Sequence, residues 1–551
     1  MGQISFQASN AIVYVTFGVF LLMGTGLAWK YRQESKGEFL SGNRTRTGQE
    51  NTLKASLEPM RSKLAVNKHP SPPFPIALNF IASGLGSGIL FSYPELATIS
   101  GVQGVLVYAL TSALPLLIFA ALGPIIRKKC PEGFVLTEWT RQRYGIVTAL
   151  WLSFLTLVTM FLYMVSELSA IGQTINTLTG LDALPVLIVE CVVTTIYTSL
   201  GGFKVSFVTD NIQAVMVLGL IVIASIAIGA RTHIDPALID SSGLLEPNLL
   251  GWQLLYIFPV AVLTNDFFLS NFWLRTFASK TDKDLWIGVS IAVVCVLIIL
   301  VLVGMTGCIA AWSGAWPGEP AQDGSVAFFL LLQQLPGWVV GIVLVMSVAL
   351  STAAFDSLQS AMVSSAANDL FRNKLNVWFI RLGVVLLIIP TVVIALKAPS
   401  ILQIYLISDL LSASTIPVLI LGLNDRFYWW RGFEVVVGGL GGILCVFIFG
   451  TIYYGDAHTG ASLILLEQGL YGDDWGAFGA FVAAPVGGLL FGIAGCAVRL
   501  GFQYLQAKRK GVRFDGLDRP VVVEDDDSSS RDVVHIVHEG AQTSKLVGKF
   551  F

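Results

Sequence analysis

The sequence predicts an all-α integral membrane protein of about thirteen transmembrane helices, and three observations predict it. Of 551 residues, 54% are hydrophobic and only 13% charged, against about 25% charged in soluble domains. Apolar runs of about 20 residues, the length that crosses a hydrocarbon core, recur along nearly the whole chain. Lys and Arg gather in alternate connecting segments, the asymmetry that orients membrane proteins.

In chain order the runs predict helices at about 11–29, 75–99, 103–126, 145–178, 183–200, 206–229, 249–274, 285–312, 338–368, 379–396, 400–422, 433–454 and 475–500. No basic residue precedes the first, and WKYR follows it, the charge order of an uncleaved anchor. Phe6 stands where a myristoylation signal requires Ser or Thr. SVAFFLLLQQLPGW reads as a short outer helix ended at Pro336. With the N-terminus outside, 32 of the 34 Lys and Arg fall on cytoplasmic segments, leaving Arg231 and Lys397 outside. A fourteenth span would export the basic C-terminus, so the expected topology is N-out, C-in, in the plasma membrane.

The expected organisation is 1–74 for the outer end, first helix and cytoplasmic connector; 75–229 and 249–422 for the core; 433–500 for two accessory helices; and 501–551 for a cytoplasmic tail. EDDDSSSRD in that tail reads as solvated and disordered. The balance of 34 basic and 36 acidic residues offers no face for nucleic acid. Five of the six cysteines lie in apolar runs, which gives no disulfide framework.

Seven acids, Glu95, Glu167, Glu190, Asp210, Asp266, Asp356 and Asp409, stand within or near the ends of spans, with almost no basic residue at comparable depth. An ionised group at mid-bilayer costs about 2.5–3.5 kcal/mol even on the lenient scale, so such residues face a bundle interior or a cavity. Their sign points to a cation. Glu95, Glu167 and Glu190 read more simply as hydrogen-bonded carboxyls that tie helices together. In YTSLGGFKVSFVTDNIQ, Gly201 and Gly202 can end a helix with positive φ, Lys204 marks the cytoplasmic face, and Asp210 follows about one and a half turns into the next helix. A carboxylate there can hold a cation leaving inward; an interhelical hydrogen bond is the alternative.

Two stretches offer oxygen without charge. NFIASGLGSGILF (79–91) crowds Ser83, Gly84, Gly86, Ser87 and Gly88 into one window, and each glycine weakens a helix by roughly 1 kcal/mol relative to Ala. A helix broken there exposes carbonyls to a cavity; close packing through small residues is the competing reading. In VMSVALSTAAFDSLQ (345–359), Ser347 and Ser351 share a helix face, as do Thr352 and Asp356. Adjacent hydroxyls at Ser351 and Thr352, with carbonyls from a broken neighbour, make an oxygen cage suited to sodium. A lone hydroxyl usually bonds its own backbone, and a neighbouring pair weakens that reading.

These stretches resemble the solute:sodium symporter family over roughly residues 38–450. FLSGN (39–43), WTRQRYG (139–145), YTSLGGFKVSFVTDNIQ and ALSTAAFDSLQ carry the resemblance. It implies a leucine-transporter-like core of two inverted five-helix repeats, 75–229 and 249–422. It also implies a cation site made of the carbonyls of Ala82, Leu85 and Val348 and the hydroxyls of Ser351 and Thr352, with Asp210 close by, taking sodium or, through Asp210, a proton. GPIIRKKCPEGFVLTEWTRQRYG (123–145) looks most like the urea active transporters of fungi and plants. The implied function is cation-coupled import of urea, or of polyamines, by alternating access. Asn265 and Asp266, with Ser83 and Ser87, are the implied solute ligands, and a cation, a small solute and lipid the implied partners. No catalytic residue and no other cofactor are expected. A nutrient sensor signalling through the tail is the alternative function. No nucleophile–base pair or metal-ligand spacing suggests an enzyme, and a passive channel would not need the oxygen cage.

Overall fold

The computed structural model describes residues 5–30, 73–130, 135–279, 281–318, 321–372, 374, 376–397, 400–467, 470, 474–514, 516–518, 521–522 and 536–537. FLSGN, the connector around it and EDDDSSSRD lie outside the described residues. The helices are α1 (Phe6–Lys30), α2 (Pro73–Gly84), α3 (Ile89–Ala113), α4 (Leu117–Lys129), α5 (Leu136–Tyr144), α6 (Ile146–Thr179), α7 (Ala183–Arg231), α8 (Pro236–Ser242) and α9 (Leu249–Asn265). They continue as α10 (Ser270–Ala278), α11 (Asp282–Trp312), α12 (Ala327–Gln333), α13 (Gly337–Ser365), α14 (Val377–Ala395), α15 (Ile401–Ile420), α16 (Gly432–Tyr454), α17 (Ala457–Ser462) and α18 (Gly476–Lys510). Val521–Val522 pairs antiparallel with Ile536–Val537.

Among the described residues, eleven helices are long and apolar enough to span a membrane, and the bent pair Leu249–Phe268 with Ser270–Ala278 makes twelve, against the thirteen expected. The difference lies in the 41-residue run Ile89–Lys129, which is one apolar run bent at Gly101, at φ 59°. This is a multi-pass membrane protein. Outward faces are apolar, as on α14, where Phe379, Leu382, Leu386, Ile389 and Val393 are exposed.

Glycine places the bends. Gly202 takes φ 58° inside α7 and separates its two spans, at the GG pair where the sequence predicted a stop. The outcome is a kink, because the chain resumes helix at once. Gly101 is also required by proximity: a Cβ there would lie 2.1 Å from the Leu244 carbonyl oxygen, which accepts the Val102 N–H at 2.9 Å. Gly24 lets α1 lie against Tyr197 of α7.

The chain forms two compact units, one drawn from Met1–Val135, Thr159–Pro259 and Leu269–Tyr405, the other from Leu136–Val158, Val260–Phe268 and Leu406–Phe551. Each expected repeat contributes to both units, so unit boundaries and repeat boundaries differ. In the second unit α16 and α18 approach through small residues: a Cβ on Gly438 would meet the Gly488 carbonyl oxygen at 2.7 Å, and one on Gly442 the Ala484 carbonyl oxygen at 2.6 Å. Such contact lets packing and dispersion hold helices together where lipid gives no hydrophobic drive.

Replacing Gly101 with Ala forces a left-handed conformation costing roughly 1–2 kcal/mol on a non-glycine residue and collides with Leu244. The purified variant is expected to melt at a lower temperature than wild type. Gly219→Ala, where the added methyl meets open space, should leave the melting temperature unchanged or slightly raised.

Candidate functional site

The first core helix is broken where the sequence predicted. α2 ends at Gly84, and after the Leu85 N–H bonds to the Ile81 carbonyl at 3.0 Å the helical ladder stops until Ile89. Among the described residues, no backbone N–H reaches the carbonyls of Ala82, Gly84 or Leu85. The other side of the break turns to Glu167 of α6. The Ser87 N–H donates to Glu167 Oε2 at 2.7 Å and the Ser87 hydroxyl at 2.9 Å, and the Tyr405 hydroxyl donates to Oε1 at 3.3 Å. A side chain at Gly86 would collide with Glu167, and one at Gly88 with Tyr405. Two of the window's glycines therefore make room for this carboxylate and its Tyr405 partner. Ser83 is turned otherwise: its hydroxyl donates to the Asn79 carbonyl at 2.8 Å, and its carbonyl accepts from the Asn271 amide at 3.4 Å.

α13 packs against α2 and carries the predicted hydroxyls, all fully buried. Thr352 donates to the Val348 carbonyl at 2.6 Å, the bond to its own backbone that the sequence left open, and Ser347 donates to Val343 at 2.9 Å. Ser351 donates instead to Glu190 Oε1 of α7 at 2.6 Å. A hydroxyl that donates its proton keeps its lone pairs, so Ser351 and Thr352 can still face a cation. The carbonyls of Ala82 and Leu85 at the end of the packed helix α2, which receive no backbone donor among the described residues, and these hydroxyls are neutral oxygens of the kind that suit a hard cation.

Asp210 has a different neighbourhood. Its carboxylate pairs with Arg275 of α10 and accepts from Ser357 at 3.2 Å, and Arg275 also donates to Ser357 at 2.9 Å. The adjacent Asp356 accepts from Tyr197 at 2.5 Å, Ser206 at 3.0 Å and Thr209 at 3.4 Å. The YTSLGG and VTDNIQ halves of one motif thus close on the aspartate of ALSTAAFDSLQ. Arg275 is only 1% exposed, which corrects its expected place in a cytoplasmic loop and sets one basic residue among the buried acids. It ends an apolar run and so read as a loop residue.

In the second unit α9 stops at Asn265, and the pair Leu249–Phe268 with Ser270–Ala278 is bent by 64°. Here the sequence predicted a continuous helix at 249–274; the chain instead passes through a short 3-10 turn, Asp266–Phe268. Asn265 accepts from Ser408 at 3.0 Å, and Thr264 and Ser412 share a bond of 3.0 Å. Asp266 is buried with Oδ2 unpartnered, and Asp409, also buried, lies close enough to feel its charge.

The sodium:solute symporter family model matches residues 72–433. The chain belongs to the sodium:solute symporter family. Among curated proteins, a spermidine transporter of Candida albicans, DUR31, is 50% identical over 550 residues, covering 97% of this chain and all of its own length. A probable urea active transporter of Schizosaccharomyces pombe is 32% identical over 128 residues, 23% of this chain and 19% of its own. Among solved structures, a Na+-coupled sialic acid symporter aligns with a TM-score of 0.63 at 16% identity, covering 88% of this chain and 97% of its own. That likeness shows the leucine-transporter-like fold.

Sequence reasoning missed one residue of this symporter's polar interior, Arg275, hidden by its place at the end of an apolar run. Glu167 and Glu190 were read as carboxyls that tie helices, and each does so, at the break and at Ser351 respectively. Removing one member of a buried ion pair costs about 3–5 kcal/mol, because the other is left charged and unpaired. Arg275→Met is therefore expected to destabilise the purified protein strongly, and adding Asp210→Asn to recover much of the loss, as read by melting temperatures of the two single variants and the double.

Proposed function

We propose that this symporter imports a polyamine of the spermidine class, driven by sodium. The observation that carries the solute is the Asp266–Asp409 pair: two buried carboxylates in one unit, at the end of a broken helix, with Asp266 Oδ2 unpartnered. Like charges held together away from water are costly unless a positive ligand joins them. Urea is neutral and needs donors and acceptors only, whereas an ammonium group supplies the missing charge and donates hydrogen bonds. The full-length likeness to a spermidine transporter supports the same class. The urea relative covers less than a quarter of the chain and supports urea as the second reading.

Sodium as the coupling ion is supported by the donor set of Ala82, Leu85, Val348, Ser351 and Thr352. Arg275 already neutralises Asp210, so that residue is a poor proton carrier. Alternating access follows from the two interrupted helices, since a chain without its helical ladder bends at low cost. Import into the cytoplasm across the plasma membrane, with the N-terminus outside, belongs to the same reading. Ser83 and Ser87 are less suited to bind solute, as both hydroxyls are engaged within the protein.

Uptake of labelled spermidine, urea and proline in transport-deficient cells, each with sodium present or replaced, tests the proposal. Sodium-dependent spermidine uptake is expected, and Asp266→Asn or Asp409→Asn should reduce it about tenfold or more at equal surface expression, the scale of a lost charged hydrogen bond. Urea uptake with indifference to both substitutions would favour the second reading, and solute binding without uptake a sensor. Thr352→Ala should raise the sodium concentration for half-maximal uptake; an unchanged requirement would remove that hydroxyl from the site.

A further inference from the structure

The N-terminal end of a half-helix inside a membrane protein is a natural seat for an anion: its first N–H groups have no helical acceptor and the helix dipole is positive there. In transporters built on broken helices such an end commonly receives a carboxylate of the solute. Here α3 begins such a half-helix, running from Ile89 to the bend at Gly101, and the seat is taken by the chain itself. The Glu167 carboxylate receives the Ser87 N–H, the Ser87 hydroxyl and the Tyr405 hydroxyl. Gly86 keeps space for it, since a Cβ there would stand 1.9 Å from Glu167 Oε1, and Gly88 keeps space for its partner, since a Cβ there would stand 2.2 Å from the Tyr405 hydroxyl.

A second observation concerns the charge around this seat. Glu190 is fully buried, its Oε2 has no partner, and it interacts electrostatically with Glu167. A carboxylate arriving with the solute would find the break already occupied by the Glu167 carboxyl, with the buried carboxyl of Glu190 beside it.

We propose that Glu167 is a specificity-determining residue: it fills the anion seat of the broken first core helix, so that the symporter accepts amines lacking a carboxylate and rejects amino acids that carry the same amines. The solute class rests on the polyamine reading; the occupied seat does not. Ornithine and putrescine make the comparison clean, because ornithine is putrescine with one added carboxylate.

The test uses the purified full-length protein, wild type, Glu167→Ala and Glu167→Gln, with two readouts. In competition against labelled spermidine, putrescine should displace the label from wild type and ornithine should be far weaker; in Glu167→Ala the disadvantage of ornithine should shrink by about tenfold or more. In thermal melting without solute, formate or acetate should stabilise Glu167→Ala by taking the vacated donors, and should not stabilise wild type or Glu167→Gln, whose amide still fills the space. Ornithine matching putrescine on wild type overturns the proposal whether or not the variants fold. So does an unchanged ornithine-to-putrescine ratio in Glu167→Ala, or failure of formate and acetate to stabilise it. If spermidine does not bind wild type, the polyamine reading falls while rescue by formate still decides whether Glu167 occupies the seat.

Discussion

A peptide group that leaves its helix inside an apolar bundle has no water to turn to, and each unsatisfied N–H or carbonyl there costs several kcal/mol. Leu85 to Gly88 is such a place, and the two ends of the break are treated in opposite ways. The N–H and hydroxyl of Ser87 are satisfied within the protein by Glu167. The carbonyls of Ala82 and Leu85 receive no backbone donor among the described residues. A break that turns donors to a carboxyl of the protein and leaves acceptors open favours a positive ligand. Ser351, Thr352 and Glu190, on helices packed against α2, add further oxygens.

The same distinction sorts the buried charges. Two of the carboxylates that hold helices together come with a matched cation: Asp210 with Arg275 in one unit, Glu434 with Arg499 at 2.5 Å in the other. These pairs are neutral and surrounded by further donors, as a buried pair must be to offset its desolvation. Glu190 and Asp266 each keep an oxygen without a partner. Left permanently, that is a standing cost; on the proposed reading, a sodium ion and an amine would offset it in turn.

How much of this was legible in the sequence follows from the range of each interaction. Spans were legible because twenty apolar residues in a row have one physical reading in a bilayer. The break at 85–88 and the kink at Gly202 were legible because glycine acts on the backbone it belongs to. The bend at 266–269 was not, since Thr264 to Leu269 holds no glycine or proline and the interruption is fixed by Ser408 and Ser412 from a distant helix. Arg275 was misplaced for a related reason. Its partner lies 65 positions earlier, and without that partner an arginine beside an apolar run belongs in a loop. Glu167 and Glu190 were legible as helix ties but their partners were not, because nothing local shows which donors a carboxylate will meet.

Glu190 also links the two halves of the first unit's site. One of its oxygens orients the Ser351 hydroxyl, and it interacts electrostatically with Glu167, which holds the break. On the proposed sodium reading, a cation at Ser351 would offset negative charge on both carboxyls and so favour the arrangement in which Glu167 remains seated on Ser87. The converse must hold to the same degree: whatever steadies Glu167 in that seat tightens the cation, because a coupling free energy is shared equally by the two sites. A solute that binds only when the break is in this form draws on the same term. Coupling between ion and solute then needs no direct contact between them, only one buried carboxylate whose charge both feel.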